Sequence, residues 1–92
     1  MIRHFKCDET ASLFLTGRSR RWSSIVSVAM RKLSQVNAVL DVMELKDPPG
    51  NRLEVLKGDR AGTYSIRING QWRVCFRWSD KNAYDVEIVD YH

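Results

Sequence analysis

Between Tyr64 and Val89 the side chains alternate in a way that only a β-meander with one apolar and one basic face accommodates. Tyr64, Ile66 and Ile68 alternate with Ser65 and Arg67, and Trp72, Val74, Phe76 and Trp78 alternate with Arg73, Cys75 and Arg77. This is the period-two pattern of a sheet covered on one side. The run Tyr84-Asp85-Val86-Glu87-Ile88-Val89 continues it, so Asp90-Tyr91-His92 follow directly on a strand. A ladder up to Val89 would hold those three groups, each able to hydrogen-bond or exchange protons, against the rest of the fold.

Facing like with like restricts the turns. A two-residue loop at Asn69-Gly70 would set Ile66 opposite Arg73, so the loop must hold an odd number of residues. A loop of Ile68-Asn69-Gly70, with Gly70 left-handed in a bulge, pairs Arg67 with Gln71, Ile66 with Trp72, Ser65 with Arg73 and Tyr64 with Val74. The same parity at Ser79-Asp80-Lys81-Asn82-Ala83 sets Trp78 opposite Tyr84, Arg77 opposite Asp85, Phe76 opposite Val86 and Val74 opposite Ile88. Extended, it brings Tyr91 opposite Gln71, so Arg67, Gln71, Arg73 and Tyr91 become neighbours. Asp90 and His92 flank them, with parity turning Asp90 toward the other face.

Upstream, Ile2 to Lys6 predicts a short strand, and Asp8 a cap for a helix over Glu9 to Thr16 that Gly17 ends. From Trp22, apolar residues at Ile25, Val26, Ala29, Met30, Leu33, Val36, Val39, Leu40 and Met43 predict one long amphipathic helix to pack on the sheet. Its opposite rim carries Arg18, Arg20, Arg21, Arg31 and Lys32, either solvated charge or a partner-binding surface. Pro48-Pro49-Gly50 marks a loop within a single domain over residues 1–92. The expected class is α+β: two N-terminal helices on a mostly antiparallel four-stranded sheet.

Ten of the fifteen cations are arginines and the net charge is +4, which favours an anionic partner, phosphate or nucleic acid above others. Cys7 and Cys75 lack metal-ligand spacing and are too few for a disulfide framework, so reduced thiols are expected. Met1-Ile2-Arg3-His4-Phe5 lacks the order of a signal peptide and no apolar run approaches membrane-spanning length, so a cytoplasmic protein with no membrane partner is expected. Two arginines, a tyrosine, a carboxylate and an imidazole suit phosphodiester cleavage by proton transfer and charge stabilisation, without metal or cofactor. On this reading His92, whose ordinary pKa lies near 6.5, serves as acid or base, and His92→Gln and Arg73→Ala should each cripple the activity while leaving the fold intact. A basic module that binds RNA without cutting it fits the same arginines.

Lys57-Gly58-Asp59-Arg60-Ala61-Gly62-Thr63-Tyr64-Ser65-Ile66-Arg67, then Gln71-Trp72-Arg73-Val74 and the terminal Asp90-Tyr91-His92, resemble a toxin of the RelE/ParE superfamily, and most of all its HigB-type branch with the GraT-like proteins. The resemblance spans the whole chain. It implies a compact microbial-ribonuclease-like fold, an endoribonuclease that cuts messenger RNA in the ribosomal A site, contact with ribosomal RNA, and a helix-turn-helix, HigA-like antitoxin. By position it gives Arg73 the scissile phosphate, Lys57 and Arg67 a supporting role, and Asp90, Tyr91 and His92 the terminal part of the site. Arg60 and Gln71 join the substrate-binding set. Several relatives carry a histidine in the segment matching Arg52 to Leu56, where this chain has Glu54, so Glu54, Asp90 and His92 are the candidates for general base. The superfamily's ParE branch, which acts on DNA gyrase, is the other activity the resemblance allows.

Overall fold

The structure, a computed structural model, is described over residues 1–90; Tyr91 and His92 lie outside the described residues. Two α-helices, α1 (Asp8–Thr16) and α2 (Val26–Ala38), precede four strands, β1 (Glu54–Val55), β2 (Thr63–Arg67), β3 (Trp72–Ser79) and β4 (Asn82–Asp90). The strands form one antiparallel sheet in the order β1-β2-β3-β4. This is the expected α+β class with a different fourth strand. The N-terminal segment makes only isolated parallel bridges to β4, Ile2 to Ala83 and Phe5 to Val86, while Glu54–Val55 provides the opposite edge.

The apolar face of the sheet and the inner faces of both helices meet in one core of Leu13, Trp22, Ala29, Leu33, Val36, Ile66, Val74, Phe76, Val86 and Ile88, closed by Val42 and Leu45. Burying each large member, such as Phe76 or Leu33, contributes about 1.5–3 kcal/mol. Thr10, itself buried, accepts the N–H of Ile88 at 3.1 Å and so ties α1 to β4. Gly17 ends α1 in the left-handed conformation (φ 72°), as expected. Asp8 lies inside the first turn rather than capping it; Cys7 occupies the cap position, and Asp8 and Glu9 face the positive helix end.

The long helix predicted from Trp22 to Met43 is divided. Ser19 Oγ accepts the N–H of Trp22 in a separate leading turn, α2 stops at Ala38, and Val39 is extended. A 3-10 turn, Val42–Lys46, then starts under a capping box: Asp41 accepts from Met43 N–H, and Glu44 Oε2 from the N–H groups of Leu40 and Asp41. Those bonds hold the backbone out of helix at residues 40–41. Leu40 and Met43, which the helical spacing placed on the buried stripe, are exposed, and Val42 and Leu45 reach the core in their place because the chain leaves the helix before them.

Both hairpins correct the expected register. Ile66 faces Val74, Ser65 faces Cys75, and Arg67 faces Arg73, a shift of two residues that preserves parity. Asn69 Oδ1 accepts the N–H groups of Gln71 and Trp72, each at 2.8 Å, and Ile68 N–H bonds to the Trp72 carbonyl. The turn is therefore Asn69-Gly70-Gln71, odd as required, and the Asn69 side chain does what a left-handed Gly70 was expected to do; Gly70 is not left-handed. The second hairpin has a two-residue turn, Asp80-Lys81, both with positive φ (50° and 65°). Trp78 thus faces Ala83 and Arg77 faces Tyr84. A bulge between Cys75 and Arg77, with Asp85 at φ 52°, absorbs the extra residue. Below it the expected register returns: Val74 faces Ile88 and Trp72 faces Asp90.

Candidate functional site

The polar face of the sheet carries Glu54, Ser65, Arg67, Arg73, Cys75 and Glu87, because Glu54 pairs with Ser65, Ser65 with Cys75, and Cys75 with Glu87. Arg67 and Arg73 sit directly opposite one another at the end of the β2–β3 hairpin. Like charges so placed repel. They line a cleft of about 330 Å³ together with Arg52, Asn69 and Gly70, a lining that among the described residues has three guanidinium-bearing side chains and no carboxylate.

Arg73 forms the floor of this cleft. It is 4% exposed and fixed by bonds from Nε to Ser65 Oγ (2.9 Å) and from Nη2 to the Arg52 carbonyl (2.6 Å) and the Ser65 carbonyl (3.2 Å). These three acceptors are neutral oxygens, and the bonds to them orient the guanidinium. Arg67 is half-buried at the rim. Gln71 Nε2 donates to Asp90 Oδ2 at 3.1 Å, which brings the exposed Asp90 carboxylate to the hairpin tip despite its pairing with Trp72. Across the sheet order, Glu54 on β1 and Asp90 on β4 flank the arginines of β2 and β3. Tyr91 and His92, expected to complete the cluster, lie outside the described residues.

The structure separates other expected members. Lys57 is exposed, between β1 and a 3-10 turn at Gly58–Arg60, and is not among the residues that line the arginine cleft. Arg60 lines a different pocket of about 130 Å³ with Lys6, Asp59, Arg77, Asp85 and Glu87. There Glu87 pairs with Lys6 (3.5 Å) and Arg60 (3.6 Å), and His4 pairs with Asp85 (2.8 Å). Acids and bases are interleaved in that pocket, whereas the described lining of the Arg52-Arg67-Arg73 cleft carries one sign of charge. Cys75, beneath this surface, has its thiol pKa raised, chiefly by burial, with Arg60 acting against the shift. Cys7 and Cys75 are both free thiols.

Of the rim residues on the helical side, Arg21 bonds Glu9 at 2.8 Å and stacks over Trp22 and Trp72, partly a packing role. Lys32 is not on the rim: it is 7% exposed, with Nζ 2.6 Å from Asn51 Oδ1. It shares the inner face of α2 with Ala29 and Val36, three residues before and four after it.

Sequence reasoning missed Arg52, Asn69 and Ser65. Arg52 follows a Pro-Pro-Gly-Asn loop with no periodicity; pairing of Glu54 with Ser65 was the only signal, and it rests on a strand of two residues. Among the described residues no group of three His, Cys, Asp or Glu side chains is arranged to hold a metal ion, and no helix is long and apolar enough to cross a membrane.

Two helices on a four-stranded antiparallel sheet, with an arginine cleft beside the final strand, define a RelE-type toxin fold. Over 98% of its length the chain superposes on a YafQ mutant from E. coli (93% of that chain, TM-score 0.57, 14% identity). The chain belongs to the HigB-like family, described as RelE-like toxins of type II toxin-antitoxin systems, whose model matches residues 3–92. It is 42% identical to Endoribonuclease HigB of Proteus vulgaris across the full length of both. It is also 45% identical to Toxin HigB-1 of Vibrio cholerae over 58 residues, 63% of this chain and 61% of that one, so this match spans less than two-thirds of that relative.

Proposed function

We propose that this toxin is a metal-independent endoribonuclease that cuts messenger RNA in the ribosomal A site, acts in the cytoplasm, and is neutralised by a HigA-like, helix-turn-helix antitoxin. The observation that carries the reading is the cleft in which Arg73 and Arg67 face each other with Arg52 beside them. Such a cleft fits an anion of phosphate size, and the name of the Proteus vulgaris relative supports RNA as its source.

In the reaction, a base takes the proton of the ribose 2′-hydroxyl and the oxygen attacks the adjacent phosphorus. The bond to the 5′-oxygen breaks, and an acid returns a proton to that leaving group. The phosphorane's added negative charge falls to Arg73, pre-oriented by Ser65 and Arg52, with Arg67 at the rim. Glu54, Asp90 and His92 are the groups for proton transfer, and Tyr91 stacks on a base or donates to phosphate. Lys57 supports the RNA backbone from outside the cleft.

The test is end analysis of messages recovered from translating ribosomes. The upstream fragment should end in a 2′,3′-cyclic phosphate and the downstream one begin with a 5′-hydroxyl. His92→Gln should suppress cutting by about 10²–10⁴-fold, the usual contribution of one positioned acid or base. Translation arrest with messages intact would refute the reading, and altered DNA supercoiling in its place would indicate a ParE-type activity.

A further inference from the structure

We propose that the buried pair Lys32 and Asn51 positions the arginine cleft, holding Arg52 so that its carbonyl fixes Arg73 while its own side chain lines the cleft. Neither Lys32 nor Asn51 is among the residues that line the cleft. Asn51 is fully buried, 0% exposed, a rare place for an amide. Its Oδ1 accepts from Lys32 Nζ, and its Nδ2 donates to Gln35 Oε1 (3.0 Å), the Leu45 carbonyl (3.1 Å) and the Asp47 carbonyl (3.2 Å). One side chain thus binds α2 to the segment leading into the cleft.

A polar knot of this kind is a costly way to close a loop. Burying an ammonium carries a desolvation penalty that an apolar pair would avoid, and burial, followed by the nearby Arg31, lowers the pKa of Lys32. What the knot holds explains its presence. The next residue, Arg52, is left-handed (φ 45°), a conformation unfavourable for a residue with a side chain. In that conformation its carbonyl lies 2.6 Å from Arg73 Nη2, and Arg73 Nε is held by Ser65 at the same time. If the knot slackens, Arg52 relaxes, and one of the bonds that aim Arg73 is lost.

The inference rests on the cleft being the phosphate site, so its test separates the two. Cleavage on the ribosome is measured for Asn51→Ala and Lys32→Met, each combined with Arg73 intact and with Arg73→Lys. With Arg73 intact, both changes should lower kcat by about 10–10²-fold and leave KM for the ribosome unchanged, the signature of a misplaced group. In the Arg73→Lys background the same changes should cost less than about twofold, because the residue they position is already gone. Lys32→Arg, which keeps a donor, should restore part of the rate. Equal losses in both backgrounds, or full activity of Lys32→Met with Arg73 intact, would overturn the inference. Arg73→Lys with wild-type activity would overturn the phosphate-site reading itself. Should Asn51→Ala fail to fold, Lys32→Met still completes the cycle, since it leaves the bonds donated by Asn51 in place.

Discussion

Replacing Arg73 by alanine removes a guanidinium that the sequence cast as purely catalytic and that the structure also uses as a brace. Its Nε and Nη2 groups serve Ser65 Oγ, the Ser65 carbonyl and the Arg52 carbonyl, and Ser65 is fully buried. Leaving a buried polar group without its partner costs about 1–3 kcal/mol, which for this set comes to about 2–4 kcal/mol. In a domain of this size each kcal/mol moves Tm by about 4–8 °C, so the variant should melt roughly 8–32 °C below wild type. The expectation that Arg73→Ala leaves the fold intact is revised accordingly. Catalysis should fall separately, by about 10²–10³-fold, the usual loss for one pre-oriented donor. The assay is thermal melting followed by circular dichroism, with cleavage measured at a temperature where each variant is folded. Arg67→Ala, at the half-buried rim, is the comparison: it should lose activity with little change in Tm. Arg73→Ala melting within about 2 °C of wild type would refute the brace, since no buried group would then have lost a partner of consequence.

Other outcomes follow from particular residues. Lys32 has its pKa lowered from the usual 10.5 by burial, so the unfolded chain holds the proton more tightly; the lysine's stability penalty should ease as pH rises through the lowered pKa toward 10.5, and Tm plotted against pH should lack this upward component in Lys32→Met. Cys75 has the opposite sign: its raised thiol pKa contributes a loss of stability as pH rises above 9.0, a component that Cys75→Ala should remove. In a thiol-reagent titration of the native protein, half-buried Cys7 should react before Cys75, which is 1% exposed; simultaneous reaction would contradict the packing of the polar face. Lys81→Gly should raise stability by about 0.5–1 kcal/mol, because it relieves a left-handed residue in a turn that favours glycine; a lower Tm would show that φ 65° carries no strain.

The sequence alone determined the sheet's two faces, the odd parity of the loop around Asn69-Gly70, the Val74 to Ile88 pairing, and the gathering of Arg67, Gln71 and Arg73 at one end. Alternation fixes which face a side chain takes, and a wrong parity would expose the whole apolar set, so these features follow from local pattern. Only the tertiary structure decided how far each strand slides. The Asn69 side chain closed one hairpin two residues away from the expected register, and the bulge at Asp85 reconciled an even turn with odd parity. The long helix gave way at residues 40–41 because two side-chain caps held the backbone there, and Val42 and Leu45 took the core positions that helical spacing assigned to Leu40 and Met43. Arg52 and Lys32 were invisible for a related reason. Their roles depend on a short loop meeting α2 and β2, contacts between residues far apart in the chain, and no periodicity encodes them. The charge needed for a phosphate site is written in the arginines; its concentration in one cleft, and its neutralisation in the pocket beside it, is set by which strands lie side by side.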